Sequence, residues 1–312
     1  MFQDAIRKGK RKMQRISNPP QGIRSDRWSY RLLIWPSFFV LFALTVVPLF
    51  INFYLSFTNT TITTLNKAKF IGLDNYIRIF TKDKYFGQAC LVTLKLVLGT
   101  VSVQVFFGML VALLWNMDFI GVRACRVLHL VPMMIMGIVS AFIWRMLLNT
   151  DMGIINYLLK NLGFSNLNWL GDEQLAVVSV ILVNLWGGTP FVTIILLTAL
   201  QSVDSSYLEA AVIDGADKFQ IFFRVILPII KPTVLLAVMF RLMDAIRQFD
   251  LIDSLTYGGP GTATTQLNLY AYSVGFGQWR MGYGAALATI IMFIILICSS
   301  ILMNQISRSN TL

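Results

Sequence analysis

Four side chains in one apolar stretch raise the chemical question first. In "TVLLAVMFRLMDAIRQFDLIDSL" (233–255), Arg241, Asp244, Ala245 and Gln248 recur at i, i+3, i+4 and i+7, one face of a helix. Arg247 stands about 60° round from Asp244. Ionisable groups inside a membrane are costly, and they mark pathways or paired contacts. The stripe therefore either lines a water-filled cavity or forms Arg–Asp pairs that lock the segment to its neighbours, with Arg241 and Gln248 on the cavity side. A second set lies in "NLWGGTPF" (184–191). Asn184 offers an amide, and Trp186 and Phe191 offer rings, which suits a polyhydroxylated solute with apolar C–H faces. Gly187, Gly188, Thr189 and Pro190 either break the helix and expose backbone groups, or let helices pack closely.

This is chemistry for binding rather than for making bonds. His129 is the single histidine and the three cysteines (Cys90, Cys125, Cys298) have no paired spacing, so no catalytic set, metal site or cofactor is expected. The chain contains no GxxxxGK[ST] phosphate loop, so any ATP hydrolysis belongs to another subunit. His129 reads as a packed structural residue, and Lys95 and Arg145 receive no role.

The elements that must position these groups follow from composition. Of 312 residues, 56% are hydrophobic and 13% charged, with a mean hydropathy of +0.67. A soluble domain carries about twice that charged fraction. Six apolar segments approach the ~20 residues that a membrane helix needs: 32–57, 89–115, 126–148, 175–199, 233–253 and 283–306. The expected fold is all-α and polytopic, with a basic segment at 1–31, a six-helix domain at 32–306 and a tail at 307–312. The first apolar run is too long for a signal-peptide core and lacks a small-residue cleavage site, so it should remain a span.

The net charge of +11 is not a nucleic-acid footprint, because nine of the 26 bases precede the first span. With the N-terminus inside, the inner segments hold 15 Lys and Arg and the outer loops seven, which places both termini in the cytoplasm. Phe2, Ile6 and Met13 suit either an interfacial helix or a basic tail that enforces topology. The segment 149–164 reads as a short amphipathic helix on the outer surface.

One inner loop is too structured to be a mere connection. In "YLEAAVIDGADKFQIFFRVILPIIKP" (207–232), Ser205 or Ser206 can cap a helix whose positive end lies near Asp204 and Glu209. Ala210 and Ala211 favour helix and leave a surface that another protein can approach. Gly215 bends the rod. Phe219, Phe222, Phe223, Ile226 and Leu227 then make a second, amphipathic arm, and Pro228 and Pro232 straddle the re-entry into the membrane. The product is a stiff helix–bend–helix spanning 204–232 and joined to the fifth span.

These residues resemble the EAA loop of binding-protein-dependent ABC importer permeases. Glu209, Ala210, Ala211, Asp214, Gly215, Ala216, Phe222, Leu227, Pro228 and Pro232 stand in the order of that motif, with Val225 where Ile is usual. The resemblance implies a type I importer permease fold, with a coupling helix here that seats in a separate ATPase. "FIGLDNYIRIF" (70–80), "LTYGGPGTATTQL" (255–267) and "YGAALA" (283–288) are similar to the carbohydrate-uptake branch, of the maltose and glycerol-phosphate type. By that likeness Asn184, Gly188, Phe191, Arg241, Ala245 and Gln248 fall at substrate-contacting positions, although Arg and Gln replace the polar residues usual on the span-five face. The implied partners are a second permease, ATPase subunits, an extracytoplasmic solute-binding protein, a carbohydrate and the bilayer, with no nucleic acid. Two other readings compete: an ion-coupled carrier using Asp244, Asp250 and Asp253, and a membrane-embedded enzyme, which the scarcity of His and Cys disfavours.

Overall fold

A computed structural model describes residues 34–63 and 68–309. The 1–31 segment, with its expected interfacial helix or tail, lies outside the described residues, as do Lys67 and the last three residues of the 307–312 tail. Two compact units divide after Tyr54. Helix α1 (Ile34–Ser56) supplies the described part of the first and ends in the second. It exposes Trp35, Phe38, Phe39 and Phe50, as a lipid-facing rod does. It also accommodates Pro48 without breaking. A π-turn at Phe42–Val46 lets the Val47 N–H reach back to the Phe42 carbonyl just before the residue that has no N–H to give.

The regular secondary structure among the described residues of the second unit is helical, apart from one isolated bridge between Thr58 and Phe70. After the short α2 (Asp74–Thr81) comes α3 (Lys84–Trp115), capped by Asp83. It runs alongside α7 (Glu173–Gln201), itself capped by Asp172. Small residues allow the approach: a Cβ on Gly99 would overlap Ile181, and one on Gly108 would overlap Val192. The last long helix, α12 (Met281–Ser309), packs on α9 (Lys218–Arg247). Between α7 and α9 lies α8 (Ser205–Ile213). The short helices α10 (Asp250–Thr256) and α11 (Leu267–Tyr272) follow α9.

The third expected span, 126–148, is not one rod. It consists of α4 (Val122–Leu130), a 3₁₀ turn at Val131–Met134, and α5 (Gly137–Leu147), bent by 99°. Pro132 opens the 3₁₀ turn, and Ile135 and Met136 are extended, so the helical ladder ends there. Each arm is then held by a different neighbour. His129 Nε2 lies 3.2 Å from Thr193 Oγ1 and its ring meets Trp115 edge-on at 4.4 Å, while Ala141 and Leu148 pack with Leu251, Ile252 and Leu255. Among the described residues, five helices are long and apolar enough to cross a membrane, or six if the bent pair counts as one span.

The expected amphipathic segment 149–164 contains α6 (Ile154–Asn161). Its organiser is Asn156, which is buried and makes four hydrogen bonds: to the carbonyls of Thr150 and Leu167, and from the Leu167 N–H and Trp169 Nε1.

Candidate functional site

The 204–232 element is built from local caps. Asp204, rather than Ser205 or Ser206, caps α8 by accepting from the Ser206 N–H at 2.9 Å. At the other end Gly215 takes φ +78°, and the Ala216 N–H returns to the Ala211 carbonyl while the Gly215 N–H reaches Val212. This is a Schellman closure, which requires the left-handed region that glycine enters freely. Asp217 and Gln220 then form a reciprocal capping box that starts the second arm.

That arm does not stop at the re-entry point. α9 runs unbroken for 30 residues from Lys218 to Arg247. The device seen in α1 recurs: a π-turn at Ile221–Ile226 brings the Leu227 N–H to the Phe222 carbonyl, just ahead of Pro228. Pro228 and Pro232 are thus carried within a single rod. Glu209, Ala210, Asp214 and Gly215 are exposed, as are Tyr207, Val212, Ile213, Phe219 and Phe223. Ala216, Phe222 and Leu227 are half-buried. Ala211 is buried within the chain itself, so of the two alanines only Ala210 is on the free surface.

The polar residues of α7 and α9 are brought together by a partner that the sequence reading missed. Gln104, fully buried on α3, donates from Nε2 to the Asn184 carbonyl at 2.6 Å and accepts at Oε1 from Arg241 Nε at 2.8 Å. Arg241 continues to Asp244 at 3.3 Å, and Asp244 also takes Arg247 at 3.2 Å. Asn184 Oδ1 accepts from Gln248 Nε2 at 2.6 Å, and its Nδ2 donates to Val180. The signal available in the sequence was a lone amide in "VSVQVFF", in mid-span.

Three expectations change here. α7 is continuous through Gly187–Pro190, so there is no broken helix. The Thr189 hydroxyl bonds the Leu185 carbonyl one residue before Pro190, and Pro190 itself is packed. Gly188 serves close approach, since a Cβ there would overlap Gln104 Nε2 and Arg241 Nη2, whereas Gly187 has open space. α9 ends at Arg247, so Gln248 is off the helix, with ψ 124°. Asn268 Nδ2 donates to the Arg247 carbonyl at 2.7 Å and satisfies that end. Ala245 lies in the core with Val97, Ile246 and Leu287, and is not among the residues lining the cavity formed by Arg241 and Gln248.

Arg241, Asp244, Arg247 and Gln248 do line an open cavity of about 480 Å³, with Gly137 and Asp250 across it. The Arg–Asp–Arg chain thus stands on the cavity wall, but both ion pairs lie within one helix and lock it to no neighbour; the link to another helix runs from Arg241 to Gln104. Phe191 meets Phe240 edge-on at 6.1 Å, and Trp186 meets Trp144 at 5.9 Å.

A larger cavity, about 1130 Å³, opens at the start of α3 and α12. Its organiser is Asp83, whose Oδ2 accepts from both Tyr270 and Tyr283 hydroxyls at 2.7 Å. Burial opposes ionisation of Asp83, but these two hydroxyls and the Phe86 and Tyr85 amides together hold its carboxyl below the usual range. Asp253 lines this cavity and Asp250 the smaller one, so Asp244, Asp250 and Asp253 do not converge on a single ion site. Among the described residues no group of His, Cys, Asp and Glu could hold a metal.

The described residues form a polytopic helical protein with a capped, exposed helix–bend–helix between α7 and the apolar part of α9. Residues 104–311 match the family described as binding-protein-dependent transport system inner membrane component, and the chain belongs to that family. It is 36% identical to a probable ABC transporter permease of Sinorhizobium fredii, over 91% of this chain and 93% of that one. It is 33% identical to the trehalose/maltose transport system permease MalF of Thermococcus litoralis, over 89% and 92%. The fold is that of a subunit in the crystal structure of a bacterial ABC transporter importing the acidic polysaccharide alginate (TM-score 0.79, 23% identity, covering 92% and 98%).

Proposed function

We propose that this chain forms half of the pathway of an ATP-driven, binding-protein-dependent carbohydrate importer. Its partners are a second permease, cytoplasmic ATPase subunits at the 204–232 element, and an extracytoplasmic solute-binding protein. The observation that carries the reading is mechanical: a capped helix with an exposed apolar edge is hinged at Gly215 onto a helix that continues without interruption into the span bearing Arg241 and Asp244. Displacement at Glu209, Ala210, Asp214 or Gly215 passes along a rod to the cavity wall. The excess of Lys and Arg on the termini and in the even-numbered connections supports an orientation with this element and both termini in the cytoplasm.

The carbohydrate class rests on the trehalose/maltose relative and on the kinds of group at the cavity. The Gln248 amide, the guanidiniums of Arg241 and Arg247 and the carboxylates of Asp244 and Asp250 suit hydroxyls, and Phe249 supplies a ring in the same lining. Asp244, which an ion-coupled carrier would use, is engaged between two arginines.

The test is reconstitution with the partner subunits and binding protein. Glu209→Lys is expected to leave the binding protein's sugar affinity unchanged while ATP turnover no longer drives uptake. Full uptake by this variant would remove the coupling role.

A further inference from the structure

Gln104 is not among the residues lining the cavity, yet the Arg241–Asp244–Arg247 chain on the cavity wall is tied to it through Arg241. Its amide is fully buried and both ends are used, one on the backbone of α7 and one on the side chain of α9. An amide buried in an apolar span is expensive unless satisfied, and here satisfaction requires two other helices at once.

The consequence falls on Arg241. A guanidinium on a free side chain samples many rotamers, but here Nε is fixed by Gln104 Oε1 and Nη2 lies against Gly188, where a side chain of any size would displace it. Only Nη1 remains for Asp244. The Arg241 side chain is 13% exposed and that of Asp244 is 49% exposed, so the buried charge is presented to the cavity through the half-open carboxylate. We infer that Gln104 is a positioning residue for transport: it holds the Arg241 guanidinium in the one orientation that sets Asp244 and Arg247 along the cavity wall. This deepens, and rests on, the reading of that cavity as the solute pathway.

The position of Gln104 also ties the wall to the end of α9. Asn184 gives its carbonyl to Gln104 and its side-chain oxygen to Gln248, so one residue of α7 holds both the guanidinium and the residue that closes the helix. Two perturbations reach this arrangement from opposite sides. Gln104→Leu removes both hydrogen bonds, and Gly188→Ala pushes Gln104 and Arg241 apart without altering either.

The experiment uses the complete importer in proteoliposomes with its ATPases, partner permease and binding protein. Uptake of labelled maltose and trehalose is normalised to assembled complex. Gln104→Leu is expected to lower uptake about tenfold, as loss of a hydrogen bond to a buried charge should. Gln104→Glu keeps an acceptor for Arg241 Nε and is expected to stay within about threefold of the parent.

The decisive readout is the double variant. If Gln104 acts through Arg241, Gln104→Leu adds nothing to Arg241→Met. A role confined to packing would instead multiply the two losses, and that result overturns the proposal. Should Arg241→Met lower uptake while Gln104→Leu and Gly188→Ala do not, the positioning role alone falls. If Arg241→Met has no effect, the pathway reading itself fails.

Discussion

In the 204–232 element each cap and closure is completed within a few residues: Asp204 with Ser206, Asp217 with Gln220, Ala216 with Ala211. In the relay around Gln104 the partners stand 64, 80 and 137 residues apart. The first can be written almost anywhere in a chain and still fold, because caps and a left-handed glycine specify it locally. The second exists only after three long helices have docked. An arm meant to transmit motion gains from the first kind of construction. A wall meant to recognise a solute gains from the second, since its geometry is then shared by every helix around it.

Substitutions can separate the two. The largest effect is expected at Gly215→Val. A β-branched residue at φ +78° costs on the order of 1–3 kcal/mol, and the bend it distorts joins the arm to the rod. ATP turnover without sugar accumulation is the predicted phenotype, measured as the ratio of the two rates. Next is Asn184→Ala, which removes the partner of Gln248 but keeps the carbonyl that Gln104 uses. It should lower uptake or change its sugar preference about tenfold with the complex still assembled, about the loss expected when a buried partner is left unpaired. Loss of assembly alone would mean that Asn184 serves packing.

A third substitution lies at neither region. Asp83→Asn weakens the junction of α3 with Tyr270 and Tyr283, by about 0.5–1.5 kcal/mol per hydrogen bond. Because the folded state lowers this carboxyl's pKa, its contribution is complete above the unfolded value of about 3.9 and is lost as pH falls through the folded value. Thermal unfolding of the detergent-solubilised complex should therefore be less acid-sensitive in the variant. The smallest effect belongs to Arg78→Ala. The Asp74–Arg78 pair is exposed, and such pairs are worth about 0.2–1 kcal/mol, so uptake should be unchanged.

The spans, the short helix near 154–161 and the bend at Gly215 were legible because each rests on local hydropathy or on a residue with one unusual property. The fifth span was misread at both ends. Its start was placed at 233 because Pro228 and Pro232 look like a boundary, but a π-turn absorbs the first of them. Its expected end at 253 falls inside the separate helix α10 (Asp250–Thr256). The helix stops at Arg247, where Asn268 caps the last carbonyl from elsewhere in the chain and Asn184 holds the Gln248 side chain. Asn184, Arg241 and Gln248 are marked by the cost of polar groups in apolar surroundings; Gln104 obeys the same rule, but its partners lie 80 and 137 residues away on other helices.

The amino-acid sequence by itself determined that this protein lives in a membrane and that one charged loop is a capped helix–bend–helix. Those properties follow from transfer free energies and from hydrogen bonds within a turn or two, which a chain carries wherever it goes. Only the tertiary structure decided that the third apolar segment bends by 99°, that Pro190 leaves its helix whole, and that Arg241 faces a cavity through Asp244. Each of those outcomes is settled by a hydrogen bond or a close approach supplied by another helix, and linear spacing says nothing about which helix will be there.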